Sequence, residues 1–282
     1  MAAPARKHNV ATLGAATEGR PYSCHATHDN MIWRESTRRK LAQRALERQL
    51  AYQQRKAEHV RGREDEVISA MMRSSRRVRE LLEAFQPITA DARVLEVGSG
   101  AHGLIFYFGS QHGIGVDPLA VSYRNLFPRW QNCASTVAAM GESLPFRERS
   151  FDVVICDNVV DHAESPERIV RELARILVPG GILYFTVNVH HPVYSVAAGV
   201  HSSWRAVGVP YEVGPFADHT THLTVDAAAR LFQGVPVRIL SAKNNVDEAR
   251  TRARKQPPRH VGDRLKRVFF KNALYEVVAR RD

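Results

Sequence analysis

Residues 94 to 103, Val-Leu-Glu-Val-Gly-Ser-Gly-Ala-His-Gly, constrain the fold of this 282-residue chain more than any other stretch. The apolar run from Arg93 to Val97 reads as a buried strand. Gly98, Gly100 and Gly103 then allow the sharp turn and close backbone approach that a ligand at a helix start requires. The spacing matches G-x-G-x-x-G, which dinucleotide enzymes use to seat a pyrophosphate on a helix N-terminus. Charge separates the two readings. Glu96, just ahead of the turn, repels a pyrophosphate and attracts a cation such as an ammonium or a sulfonium. A second strand, Ile114 to Val116, ends at Asp117, close to the roughly 20-residue offset at which an acid accepts from a ribose diol. The competing role for Asp117 is a turn or helix cap ahead of Pro118. The two acids together imply a nucleoside carrying a cationic or zwitterionic arm.

Downstream, strand and helix alternate. Ser165 suits an N-cap and Pro166 the first helical turn, after which Ile169, Val170, Leu173, Ile176 and Leu177 recur at helical spacing. Pro179-Gly180-Gly181 is expected to end that helix before a strand from Ile182 to Val187. Such alternation predicts an α/β fold with a mainly parallel sheet covered on both faces and a ligand outside the carboxyl ends of the strands. Val235 to Leu240 and Val268 to Val278 read as later strands that close the sheet in antiparallel fashion.

From Leu95-Glu96-Val97-Gly98-Ser99-Gly100, through Gly115-Val116-Asp117-Pro118, to Gly141-Glu142-Ser143-Leu144-Pro145-Phe146 with Ser150-Phe151-Asp152-Val153-Val154, the chain resembles the class I S-adenosylmethionine-dependent methyltransferases. The likeness continues through Asp157-Asn158-Val159-Val160-Asp161-His162 and Arg171-Glu172-Leu173-Ala174-Arg175-Ile176-Leu177-Val178-Pro179-Gly180-Gly181, covering residues 90 to 190. It implies a Rossmann-like, doubly wound, seven-stranded sheet with an antiparallel last strand, and S-adenosylmethionine as cofactor. By position it puts Gly98, Ser99 and Gly100 along the methionine part, Glu96 near the amino group and Asp117 on the ribose hydroxyls. It puts Glu142 beside the adenine, and Asp157 with Asn158 beside the sulfonium. Many relatives carry an Asp two residues before the counterpart of Glu142, to accept from the adenine amino group; here that position is Met140.

Length and the 44% apolar content allow one such domain with extensions. Residues 1–30 lack periodicity and are expected as a tail, residues 31–88 as a helical cap over the cofactor crevice, and residues 89–282 as the cofactor-binding domain. Within the cap, Glu35 to Arg61 reads as a basic amphipathic helix and Glu66 to Phe85 as a second helix ended by Pro87. An insertion at residues 189–223 is too long for an ordinary connection and supplies His190, His191, Tyr194, Trp204, Tyr211, Phe216, His219 and His222, which suits an acceptor pocket or lid.

No apolar run reaches the ~20 residues of a membrane span, and the three cysteines show no pairing pattern, so a cytoplasmic protein is expected. The +11 net charge divides into +7 over residues 1–90, −3 over 91–240 and +7 over 241–282. Basic ends draw nucleic acid, anionic lipid or an acidic substrate, or serve as solvated faces.

Methyl transfer to oxygen or nitrogen asks mainly for alignment, and a hydroxyl acceptor benefits from a base of near-neutral pKa. His162 is the first candidate, with His190 and His191 as rivals and a structural packing role as the alternative for His162. The chain has neither the Pro-Pro-Tyr type motif of base-amino methyltransferases nor a Pro-Cys nucleophile, since Cys156 follows Ile155. The expected partner is a small-molecule acceptor, with anionic acceptors among the candidates. The rival readings are an RNA methyltransferase clamping its substrate with the basic ends and a non-catalytic cofactor-binding scaffold. Cys24, His25, His28, Asp29 and the His219/His222 pair lack zinc-motif spacing, so no metal is expected.

Overall fold

The computed structural model describes residues 25–193, 222–255, 269–270 and 272–282, with side chains from residue 43 onward. Two units divide the chain at Leu41/Ala42. Of the first, Met1–Leu41, the described part is helical backbone. The helix α1 (His25–Val60) begins at His25, so residues 25–30 are helix where the sequence suggests a tail. Glu64–Glu83 forms α2, which opens on Glu64, Asp65 and Glu66, acids that complement the helix dipole. Its buried residues Met71, Ser75, Val78 and Leu82 fall on one stripe, as helical periodicity demands.

The sheet of the unit Ala42–Asp282 has seven strands among the described residues: β1 (Arg93–Val97), β2 (His112–Val116), β3 (Ser135–Val137), β4 (Phe151–Asp157), β5 (Leu177–Val189), β6 (Val237–Asn244) and β7 (Ala273–Arg281). They lie in the order β3-β2-β1-β4-β5-β7-β6. β7 runs antiparallel to both of its neighbours, and the remaining pairs are parallel. This is the Rossmann-like, mainly parallel sheet with an antiparallel last strand that the strand–helix alternation predicts. The later strands sit further along the chain than expected, β6 reaching Asn244 and β7 starting at Ala273.

Each face of the sheet buries its own core, because successive side chains of a strand point to opposite sides. Val154 and Cys156 of β4 join Leu183, Phe185 and Val187 of β5 beneath Ile169, Val170 and Leu173 of α5 (Pro166–Ile176). Val153 and Ile155 join Val94, Ile182, Tyr184 and Val278 beneath Met71, Val78 and Leu82 of α2. Pro179-Gly180-Gly181 does not separate helix from strand. The helix stops at Ile176, β5 starts at Leu177, and the Pro-Gly-Gly run lies inside β5, where the pairing with β4 slips between Phe151 and Val153. Gly180, at φ 78°, supplies the left-handed residue that the bulge needs. Arg281 of β7 then satisfies the end of α5, its Nη1 donating to the carbonyls of Ala174, Arg175 and Leu177.

The two short helices after β2, α3 (Ala120–Leu126) and α4 (Pro128–Gln131), bring Tyr123, Phe127 and Trp130 against the glycine turn. The remaining helices are α6 (Val225–Arg230), capped by the Thr224 hydroxyl accepting from the Ala227 N–H at 3.2 Å, and α7 (Val246–Lys255).

Candidate functional site

The carboxyl ends of β1, β2 and β4 meet at the glycine turn. Gly98 adopts φ 73° and Gly100 φ 54°, conformations that side chains resist. The N–H groups of Gly98 and Ser99 both donate to the Val116 carbonyl, at 2.7 and 3.0 Å, so the turn is tied to the end of β2. A Cβ on Gly98 would overlap Val159, whereas one on Gly100 would meet nothing closer than the Gly98 carbonyl at 3.8 Å and Asp117 at 4.0 Å. The face of Gly100 toward Asp117 is therefore an open cradle. Gly103 is extended, and its lack of a side chain serves another purpose: a Cβ there would stand 2.5 Å from Oε2 of Glu96 and 2.6 Å from the Ser99 carbonyl.

That gap is filled by Glu96. Its carboxylate is buried and accepts from the N–H groups of Leu104 (3.1 Å) and Ile105 (2.8 Å), which open the 3₁₀ turn Leu104–Tyr107. Burial pushes its pKa up to about 8, and the negative charges of Asp157 and Asp117 add to the rise while the two N–H groups oppose it. Asp117 takes the turn-forming role, Oδ1 accepting from the Leu119 N–H at 2.8 Å, and its Oδ2 accepts from the Gly100 N–H at 3.1 Å. Burial raises its pKa as well.

Asp157 ends β4 with its pKa raised by burial, and it accepts from the Thr186 hydroxyl at 2.5 Å. Asn158 follows at φ 57°, with its N–H on Thr186 and its Oδ1 accepting from the Asn188 N–H at 3.1 Å. Three acids at or just past the ends of three strands, Glu96, Asp117 and Asp157, thus act on one another or on the same turn. Glu142 stands apart from them, half-buried, its Oε1 accepting from the Glu164 N–H at 3.1 Å. Met140, where an adenine-binding Asp is common in the resembling family, is exposed.

His162 closes the 3₁₀ turn Val160–His162 after β4, half-exposed, with Nε2 3.8 Å from Oδ1 of the fully buried Asp161. His190 is fully buried after β5, its Nδ1 accepting from the Asn272 N–H at 3.4 Å and its ring 5.0 Å from that of His222. His191 packs its ring against Phe269 and Phe270. Tyr194, Trp204, Tyr211, Phe216 and His219 lie outside the described residues, as do Cys24 and the side chains of His25, His28 and Asp29.

Comparison with known proteins bears on the same stretch. A methyltransferase-domain family model matches residues 95–185, from the strand that carries Glu96 to the strand that carries Thr186. Residues 95–185 thus match a methyltransferase domain. An uncharacterized methyltransferase of Mycolicibacterium gilvum is 33% identical over 108 residues, 36% of this chain and 41% of the relative. A malonyl-[acyl-carrier protein] O-methyltransferase of Enterobacter lignolyticus is 32% identical over 134 residues, 47% of this chain and 51% of the relative. The chain thus spans about half or less of these curated relatives. The geranyl diphosphate C-methyltransferase of Streptomyces coelicolor, solved with Mg2+, geranyl diphosphate and S-adenosyl-L-homocysteine, shares the fold at TM-score 0.52 and 14% identity, over 74% of this chain and 77% of that one.

Several residues that hold the glycine turn carry no motif. Gln131 donates from Nε2 to the carbonyls of Gly100 (3.0 Å) and Ala101 (3.1 Å), and the Trp130 indole N–H donates to Ala101 at 2.7 Å, so α4 clamps the glycine turn. The His102 ring lies tilted against Phe127 and Trp130, with centroids 5.0 and 5.4 Å away, and burial lowers its pKa to about 4. Thr186 and Glu276 lie deep in strands where the pattern reads as core. A polar residue interrupting an apolar strand was the one available signal for each.

Proposed function

We propose that the protein transfers a methyl group from S-adenosylmethionine to an oxygen or nitrogen atom of a small-molecule acceptor. The observation that carries this reading is Glu96, a fully buried carboxylate at the glycine turn, acted on by two further, half-buried acids. Burying like charges together is costly, and a ligand with an ammonium and a sulfonium offsets that cost. A pyrophosphate would increase it.

The residues fit the group. The open face of Gly100 toward Asp117 leaves room for a ligand's backbone-close approach, and Asp117 retains lone pairs for a ribose diol. Gly98, Ser99 and Gly100 would line the methionine part, Glu96 would face the amino group, Glu142 would border the adenine, and Asp157 with Asn158 would flank the sulfonium end. When bound, the sulfonium supplies an activated methyl for in-line displacement. The chain's own contribution is to hold the crevice floor rigid, through the Asp157–Thr186 and Asn158–Asn188 bonds, and to exclude water from the carboxyl ends of β1 and β4. His162, half-exposed beside buried Asp161, would take the proton of a hydroxyl acceptor.

Calorimetry with S-adenosylmethionine and with a nicotinamide dinucleotide tests the reading. The wild type is expected to bind the first and not the second. Asp117→Ala and Gly98→Leu should each weaken affinity at least tenfold, by loss of a half-buried acceptor and by collision with Val159 respectively. Wild-type affinity in both variants, or a preference for the dinucleotide, would remove the assignment.

A further inference from the structure

Past Asp157 the sheet continues into a row of side chains for which methyl-donor binding has no use. Asp157 of β4 pairs in register with Thr186 of β5, Thr186 with Glu276 of β7, and Glu276 with Lys243 of β6. Residues directly opposite in neighbouring strands share a face, and strands lie about 4.8 Å apart. The row therefore starts at the carboxyl end of β4, beside the donor site, and runs outward, with Asp157 and Glu276 about 10 Å apart along it. Thr186 between them is fully buried and holds Asp157 in place.

Glu276 is unusually well anchored for a residue near a sheet edge. Its Oε2 accepts from the Tyr184 hydroxyl at 2.9 Å and from Nη2 of Arg77 at 2.8 Å, and the same Nη2 donates to the Tyr184 hydroxyl at 2.9 Å. Among the described residues Oε1 receives no hydrogen bond, and the side chain is 17% exposed. Arg77, on α2, spends one nitrogen on both contacts and leaves the rest of a 58%-exposed side chain facing solvent. The row thus carries two acids, Asp157 and Glu276, with Arg77 of α2 bonded to Glu276 and to the Tyr184 hydroxyl, and Lys243 of β6 beyond them. A hydroxyl or phenol uses none of this pattern, and an acceptor with only an anionic group is repelled by its inner half.

We propose that this row is the acceptor subsite and that the acceptor is a small zwitterionic amine, its ammonium taken by Oε1 of Glu276 and its carboxylate directed to Arg77 and Lys243. This rests on the methyl-transfer reading above and narrows it from oxygen or nitrogen to nitrogen. The bound ammonium loses one proton through Glu276 to solvent. The neutral nitrogen's lone pair then bonds the methyl carbon, and the carbon–sulfur bond breaks with its electron pair left on sulfur. The product is an N-methylammonium and a neutral thioether. Glu276 touches the acceptor, and Tyr184 is a positioning residue that fixes Glu276 by a hydroxyl which burial keeps protonated.

Incubation with labelled S-adenosylmethionine and a panel of N-alkyl amino acids, plain alkylamines, hydroxy acids and phenols tests this. Label is expected in the amino acids first. Glu276→Gln, similar in shape and uncharged, should raise the KM for the amino acid at least tenfold, and Glu276→Asp should restore part of it. The cofactor Kd and the melting temperature of both variants should match the wild type. An unchanged KM in Glu276→Gln, label only in hydroxy acids or phenols, or bound cofactor with every amine unlabelled would overturn the amine subsite and leave the methyl-transfer reading standing. Failure of the wild type to bind the cofactor would overturn the methyl-transfer reading itself.

Discussion

Glu96 links stability to pH in one side chain and, on the proposed reading, to ligand binding. Its carboxyl is pushed from 4.5 to about 8, chiefly by burial. Between those values the unfolded chain has lost the proton and the folded chain keeps it, so the folded state binds more protons. Stability of the ligand-free protein should therefore fall as pH rises through about 5 to 8 and level off above that. Denaturant melts across that range should show the decline in the wild type, and Glu96→Gln should flatten it; parallel slopes for the two proteins would argue against a protonated Glu96. A cationic ligand favours the ionised carboxylate, so cofactor binding near pH 7 should release a proton, read as a buffer-dependent heat in calorimetry. His162 answers a separate question. His162→Ala should lower turnover on a hydroxyl acceptor roughly 10²-fold with cofactor affinity intact, whereas an amine acceptor served by Glu276 would leave turnover near the wild-type value. Steady-state rates with each acceptor class separate the two.

Among the elements, α2 and α4 hold the 3₁₀ turn and the glycine turn although neither belongs to the motif-bearing strands. α2 docks on the 3₁₀ turn through Ser75, whose fully buried hydroxyl donates to the Leu104 carbonyl at 2.7 Å, one residue from the N–H that holds Glu96. Ser75→Ala leaves that carbonyl without its donor and should cost about 1–3 kcal/mol in equilibrium denaturation. The same change should also weaken cofactor binding, because the 3₁₀ turn carries both N–H partners of Glu96. A stability loss with unaltered affinity would show that α2 supports the fold and not the site. The amphipathic stripe of α2 was legible from residue spacing alone. Its contact with Leu104 was not, because 29 residues separate the partners and nothing local marks the pairing.

For the whole molecule, the charge is arranged with basic ends and an acidic middle, and the acids that matter are those at the strand ends. No helix among the described residues is long and apolar enough to cross a membrane. If the basic ends served as a clamp on RNA, retention would drop steeply between about 50 and 200 mM salt. The small-molecule reading predicts weak retention at both, and filter binding at the two concentrations decides between them. Fold class was written in local pattern: a glycine turn after an apolar strand, acids at two strand ends and a helical stripe repeated in alternation, each a property of a few neighbouring residues. Glu96 and Asp117 were legible as binding candidates for the same reason, since a charge inside an apolar context must meet a partner. Gly103 could be read as a turn residue, but only packing shows that its missing side chain makes room for Glu96. Thr186, Tyr184, Glu276 and Arg77 become one constellation only when β7 inserts between β5 and β6 and α2 folds over it. Strand order depends on burial summed over the sheet, a quantity that no short window of sequence contains.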